Sequence, residues 1–279
     1  MISPVRPKKA LGQNFLTDPG IISRIVGLAG VEERDLVVEV GPGKGILTRS
    51  LLFRAGRVVA IELDRELLPV LEVEFGGDPR FTLVAGDALQ IDLARLLDDL
   101  PGSSGLTRKV VANIPYYITG PLLVKLLTGE AGFETIVLMV QKEVADRLVA
   151  TPGSPEYGSL SVIVNYFTQP QLGFRVRRGA FQPPPKVDSA VVRLDRRKDH
   201  WPLPWPRVEP VVRAAFGQRR KTLVNAVSAG MNLPKDAVAV ALQHLGLPAT
   251  IRGEELSVAQ FVQLASGLAD AARGEERHG

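Results

Sequence analysis

The stretch KVVANIPYYITG, Lys109 to Gly120, runs an apolar, strand-like segment straight into an amide, a proline and two phenols. Asn113 offers a side-chain carbonyl that accepts hydrogen bonds without carrying charge. Pro115 fixes its own φ and has no N–H, which stiffens the turn and lets the main-chain carbonyl of Ile114 act as a second acceptor. Tyr116 adds a flat ring for stacking. Two acceptors beside an aromatic face make a receptor for a planar base that carries an NH2 group. Such an amine is a poor nucleophile because its lone pair is delocalised into the ring, and accepting its N–H bonds draws the nitrogen towards a pyramidal form. Attack on a positively charged sulfonium methyl then needs positioning more than a strong base. That suits a chain without Cys whose three His (His200, His244, His278) are scattered. The bland reading is a structural turn with core tyrosines, and Tyr117 is assigned to it.

Other groups with chemical potential stand at similar exits. VEVGPGKGILT places Gly41, Gly43 and Gly45 between a strand and a helix, where glycine permits a tight turn and close approach of a ligand to the backbone. A nucleotide-triphosphatase loop is excluded, because Lys44 is followed by Gly45 and Ile46 instead of Ser or Thr. The spacing G-x-G-x-G also departs from the G-x-G-x-x-G of nicotinamide enzymes. Glu62 in VAIELD follows the turn by about 20 residues, the separation at which an acid reaches ribose hydroxyls. Asp87 in LVAGDAL is a candidate acceptor for the exocyclic amine of an adenine ring. Asp64 and Asp87 are each open to a second reading as helix caps, which is preferred for Asp64.

The elements that must position these groups read as five strand–helix repeats: LVVEV with ILTRSLLFRAG, RVVAIEL with DRELLPVLEVEF, FTLVAGDA with LARLLDDL, KVVANI with GPLLVKLLTG, and ETIVLMVQ with KEVADRLVA. Five repeats predict an α/β fold with a doubly wound, mostly parallel sheet, whose ligands bind at the carboxyl ends of the strands. Continuous Val and Ile runs fit strands buried on both faces. SLSVIVNYF and AVVRL are expected to close the sheet as antiparallel edge strands. Prolines and tryptophans break every period at RRKDHWPLPWPR, residues 196–207, so the domain boundary is set at 198/199. Beyond it VEPVVRAAFGQRRKTLVNAV, PKDAVAVALQHLG and SVAQFVQLASGLADAA read as amphipathic helices of a small all-helical domain, 199–279.

Composition restricts the classes available. At 279 residues the chain is long enough for a large domain and a smaller one. Without cysteine there is no disulfide framework, thiolate nucleophile or cysteine-ligated zinc, and no metal site is expected. The first residues, MISPVRPKKALGQ, lack the apolar centre of a signal peptide, and no window reaches a membrane-spanning length. A cytoplasmic location without membrane association is expected. The formal charge is only +4, but cations cluster at Arg6, Lys8 and Lys9, at Arg175, Arg177 and Arg178, and at Arg219, Arg220 and Lys221. Each cluster alone is an ordinary solvated surface; three together favour a polyanionic partner.

GQNFL, VEVGPGKG, IELD, GDAL, NIPYYI, VQKEVADRL, FQPPPKVDSAVV and FGQRRKTL occur in that order. Jointly they resemble the small-subunit ribosomal RNA adenine dimethyltransferases, the family of bacterial KsgA, from about Lys8 to about Phe261. The resemblance implies a Rossmann-like S-adenosylmethionine-dependent methyltransferase domain, residues 1–198, followed by a helical domain that recognises rRNA in the assembling subunit. It implies dimethylation at N6 of two adjacent adenosines near the 3′ end of 16S rRNA, with immature small subunits as partner; oligomeric state is left open, with a monomer as the default. By resemblance Asn14 and Leu16 contact the donor, as do Gly41, Glu62, Asp87 and Asn113; without it, GQNFL reads as a capped linker before the helix of DPGIISRIVGLA. Asn113, Ile114, Pro115 and Tyr116 form the catalytic turn. Phe181 is placed opposite Tyr116, sandwiching an extruded adenine, a contact worth on the order of 1–3 kcal/mol; the alternative is core filler. Arg219, Arg220 and Lys221 are read as phosphate contacts on a helix whose apolar face carries Val212, Ala215 and Phe216.

Three alternatives compete. A methyltransferase of large-subunit rRNA, of the macrolide-resistance type, shares the glycine turn and the Asn-x-Pro-aromatic site, but FGQRRKTL resembles the small-subunit family more. A non-catalytic assembly factor would not need both an intact glycine turn and NIPY. DNA adenine methyltransferases use Asn/Asp-Pro-Pro-aromatic, which the spacing of NIPY disfavours.

Overall fold

The computed structural model describes residues 7–8, 12–218 and 220–276, the side chains of 270–276 excepted. The chain divides into two compact units, one running to Asp146 and resuming at Gln169–Arg196, the other made of Arg147–Thr168 and the chain from Arg197 onwards. The boundary expected at 198/199 falls close to the third crossing, between Arg196 and Arg197. The segment 147–168 departs from expectation, since it groups with the C-terminal helices.

In the first unit β1 (Phe15–Leu16), α1 (Pro19–Ala29), β2 (Asp35–Val40), α2 (Ile46–Leu52), β3 (Arg57–Glu62), α3 (Leu68–Phe75), β4 (Phe81–Ala85), α4 (Leu93–Asp98), β5 (Thr107–Asn113), α5 (Thr119–Thr128) and β6 (Thr135–Gln141) follow in turn. All five predicted strand–helix repeats are present, the fifth through α6 (Lys142–Leu148). β4, β3, β2, β5 and β6 lie side by side in that order, each parallel to its neighbour. Val37, Val38, Val58, Val59, Val110, Val111, Val137 and Leu138 are completely buried, as strands covered on both faces require. On α1 the buried side chains are Ile22, Ile25, Val26 and Ala29, a stripe at helical spacing. Asp18 starts that helix by accepting from the N–H groups of Gly20 and Ile21, so Asn14 is not its cap.

The order reverses between β2 and β5: from β2 the chain steps outward to β3 and β4, then returns to the other side of β2 as β5. The exits of β2 and β5 therefore border the crevice where such sheets hold ligands. β9 (Ser189–Arg196) closes the sheet antiparallel to β6, and β7 (Thr168–Val176) lies beyond it at the edge. AVVRL is thus the expected antiparallel strand. SLSVIVNYF is not: it forms α7 (Ser159–Phe167). β-Branched residues favour a strand only where a sheet face receives them. Here Ser161 accepts from the Gly158 N–H, closing the first turn, and Ser161, Val162, Ile163, Val164 and Tyr166 are all buried. A separate pair, β1 with β8 (Phe181–Gln182), is antiparallel with Leu16 opposite Phe181.

The second unit is built from α7, α8 (Trp205–Gly217), α9 (Leu223–Met231), α10 (Lys235–His244) and α11 (Val258–Glu276). Tyr166 packs on Trp201 and Trp205, and the Trp201 indole N–H donates to the Tyr166 carbonyl at 2.9 Å. The aromatic part of the composition break thus serves as core. One long helix was expected over 208–227, but α8 stops at Gly217 and α9 starts at Leu223. Lys221 N–H closes the intervening turn onto the Gln218 carbonyl at 3.0 Å. Arg220 and Lys221 are therefore exposed on a turn, not on a helix face, and Arg219 lies outside the described residues. Val212 and Ala215 are buried as expected.

Candidate active site

A cavity of about 380 Å³ opens at the carboxyl edge of β2, β3, β4 and β5, lined by Gly41, Gly43, Glu62, Asp87, Asn113 and Tyr116. Ile114, Pro115, Asn14 and Leu16 also border it. Nearly every residue read as part of the site is thus brought to one place, although they span a hundred positions of chain.

The glycine turn has the conformation its sequence demands. Gly41, Gly43 and Gly45 have φ of 70°, 59° and 78°, the left-handed region that side chains rarely adopt. Space is limited too: a Cβ on Gly43 would stand 3.0 Å from the Phe15 ring, and one on Gly45 2.3 Å from Phe75. Glu62, at the end of β3, receives the Gly43 N–H on one oxygen (3.2 Å) and the Asp64 N–H on the other (2.7 Å). Both bonds fix the carboxylate plane while each oxygen keeps a lone pair. Burial pushes the Glu62 pKa up, against these backbone donors. Beneath the turn Glu39 is buried within β2 and accepts from the Thr48 hydroxyl at 2.6 Å. Burial raises its pKa to about 8, opposed by Thr48 and reinforced by the nearby charge of Glu62. Asp87 uses Oδ1 to accept from the Leu89 N–H at 2.9 Å, so it shapes the local turn and borders the cavity together. The helix it might have capped starts instead at Asp92.

Asn113 closes β5 and is half-buried, its Nδ2 donating to the main-chain carbonyl of Asn14 at 3.4 Å. That bond turns the amide so that Oδ1 remains for a ligand. Asn14 is itself steadied by its amide donating to the Gly12 carbonyl at 3.0 Å. Pro115 has φ −56° and leads into a single 3-10 turn, Tyr116–Ile118. The Tyr116 hydroxyl meets Ser189 Oγ at 2.8 Å, which ties the ring to the end of β9. Burial raises its pKa, with Ser189 opposing.

Two expectations fail here. Tyr117 is not core: it is 55% exposed and lines the cavity rim, over Gly12. Phe181 does not reach the cavity; it is 4% exposed and packs in the buried cluster with Leu16, Val176 and Val191. The strand pairing of β8 with β1 turns its ring inward, which is the core-filler reading. Residues the motif reasoning passed over are Gln13, Phe15, Glu39 and Ser189. An acid inside the otherwise apolar LVVEV was a usable signal for Glu39; nothing local to Ser189 or Gln13 marks them.

The pattern at the sheet edge fits a nucleoside-bearing ligand beside an amino-bearing base. A family model described as ribosomal RNA adenine dimethylase matches residues 5–270. The chain belongs to the ribosomal RNA adenine dimethylase family. Relatives named ribosomal RNA small subunit methyltransferase A are 47% identical in Pelotomaculum thermopropionicum, over 96% of this chain and 93% of the relative, and 45% identical in Moorella thermoacetica, over 94% and 92%. Among solved structures, a dimethyladenosine transferase from Plasmodium falciparum superposes with a TM-score of 0.77 at 29% identity, covering 90% of this chain and 95% of that one. The 23S rRNA methyltransferase ErmE does so with a TM-score of 0.69 at 28% identity, covering 92% and 100%. This dimethylase takes its methyl groups from S-adenosylmethionine. Among the described residues no helix is long and apolar enough to cross a membrane.

Proposed function

We propose that this dimethylase transfers four methyl groups from S-adenosylmethionine to two adjacent adenosines near the 3′ end of 16S rRNA, acting as a cytoplasmic monomer on immature small subunits. The observation that carries the reading is the amide of Asn113, which lines the cavity together with Tyr116 and whose Nδ2 donates to the Asn14 carbonyl, leaving its own carbonyl to accept from a ligand. Bound S-adenosylmethionine supplies an electrophilic methyl on a positively charged sulfur. Glu62 takes ribose hydroxyls, Asp87 the adenine amine of the donor, and the glycine turn allows its close approach. Asn113 Oδ1 and the Ile114 carbonyl accept the two N–H bonds of the target amine, which frees its lone pair to point into the cavity. Tyr116, steadied by Ser189, stacks on the target ring, while Phe181 remains in the core. No strong base is required, because the methylated amine sheds a proton readily to water. Arg219, Arg220 and Lys221 contact phosphates, which fix register without reading sequence.

The names borne by the relatives at 47% and 45% identity favour the small subunit, and the likeness to ErmE sustains the large-subunit alternative. The test supplies labelled S-adenosylmethionine with undermethylated small subunits and, separately, with large-subunit RNA. Label confined to the small subunit is the expected result. Label only in large-subunit RNA replaces the reading with the resistance type, and binding of subunits without label makes the chain an assembly factor.

A further inference from the structure

Asp64 was expected to be a helix cap, yet α3 begins only at Leu68 and Leu67 is its N-cap. One local bond remains, from the Glu66 N–H to Oδ1 at 3.1 Å. The other partners come from far along the chain. Lys8 Nζ donates to Oδ1 at 2.7 Å and Gln13 Nε2 to Oδ2 at 2.8 Å, while Gln13 Oε1 accepts from the Lys8 main-chain N–H at 2.8 Å. Glu66 adds a second carboxylate 3.0 Å from Lys8. The Asp64 side chain is 1% exposed. Its backbone N–H is one of the two that hold Glu62.

This closed set of bonds joins the exit of β3 to the segment Gly12–Leu16, every residue of which lines the cavity. The far end of that segment is fixed by β1–β8 pairing and by the Thr17 N–H to the Ala180 carbonyl at 2.9 Å. Between the two anchors stand Asn14, whose carbonyl turns Asn113, and Phe15, packed on Gly43.

We propose that Asp64 is a positioning residue for the methyl donor, clasping the wall Gly12–Leu16 through Gln13 and Lys8 and so setting how tightly the donor is held. The proposal rests on the assignment of this cavity to S-adenosylmethionine. Burial alone would raise the Asp64 pKa, but Lys8, Gln13 and the Glu66 N–H outweigh it and the net shift is downward. The acid thus stays ionised at working pH, and charge-assisted bonds of this kind are among the stronger ones. Without the clasp the wall is anchored at one end, and donor affinity falls with the fraction of molecules whose wall is in place. Molecules that hold the donor react as before.

The experiment measures S-adenosylhomocysteine binding by calorimetry for wild type, Asp64→Ala, Gln13→Ala, Lys8→Met and Glu62→Ala, together with KM and kcat for S-adenosylmethionine. Expected are an affinity loss of about tenfold for Asp64→Ala, with KM raised in proportion. Smaller losses are expected for Gln13→Ala and Lys8→Met, and less than additive loss in the Asp64→Ala/Gln13→Ala double variant. At saturating donor kcat should hold to within about twofold. Wild-type affinity in Asp64→Ala alongside lost affinity in Glu62→Ala overturns the clasp and keeps the site. Wild-type affinity in Glu62→Ala overturns the site assignment instead. If Asp64→Ala does not fold, unchanged affinity in both Lys8→Met and Gln13→Ala overturns the proposal, since the Lys8 side chain is 37% exposed and neither replacement disturbs the core.

Discussion

The sheet edge and the turn between α8 and α9 carry polar groups in opposite ways. At the edge, Glu62, Asp87 and Asn113 leave strands whose neighbours are locked by parallel pairing, and each side chain is aimed by a main-chain or side-chain bond. On the turn, Arg220 and Lys221 are exposed, and the Lys221 main-chain N–H donates to the Gln218 carbonyl. Aimed groups can discriminate one reacting atom from another. Exposed cations attract any phosphate, so they contribute affinity and register.

The contrast is broken most severely at Asn113. Asn113→Ala removes the aimed acceptor, and methyl transfer should fall by about 10²–10³-fold in single-turnover assays at saturating S-adenosylmethionine, with the fold retained. Near-normal turnover would remove Asn113 from its role. Glu39 tests the buried side of the edge. Its folded pKa of about 8 exceeds the ordinary carboxyl value of 4.5, so between those values the native state keeps a proton that the unfolded state has lost. Stability must therefore decline as pH rises through that window, and wild type should lose roughly 2–3 kcal/mol from about pH 6 to about pH 8 in urea titrations. Glu39→Gln keeps an acceptor for Thr48 and should flatten this slope; a parallel slope in the variant would show the carboxyl is charged when folded. Glu62→Ala should weaken S-adenosylhomocysteine binding by about 10–100-fold, as loss of hydrogen bonds to a charged group does. Smallest is the turn: Arg220→Glu with Lys221→Glu should reduce the salt dependence of rRNA binding by a slope of about 2 while leaving donor affinity unchanged. An unchanged slope removes this pair from the interface.

Legibility followed the range of the interactions. Val and Ile runs with terminal glycines and acids announced five strands and their exits, because burial on both faces and a turn with positive φ leave local marks. SLSVIVNYF misled because its β-branched residues fit either a strand or a buried helix, and packing within the second unit decided the matter. Tyr117 and Phe181 exchanged roles, and for Phe181 the cause is long-range: it sits in β8, whose pairing with β1 connects residues more than a hundred positions apart. The wall Gly12–Leu16 had no local signature at all; it was named only through the resemblance. Asp64 was visible as an acid at a strand exit, but its partners Lys8 and Gln13 lie 56 and 51 residues away, beyond the reach of a capping rule.

The most direct test is to map dimethyladenosine by mass spectrometry in undermethylated small subunits treated with S-adenosylmethionine and either wild type or Asn113→Ala. Two adjacent dimethylated adenosines near the 3′ end of 16S rRNA with wild type, and none with a variant that still binds S-adenosylhomocysteine, is the result expected. Equal modification by both proteins, or wild-type modification elsewhere, would contradict the account.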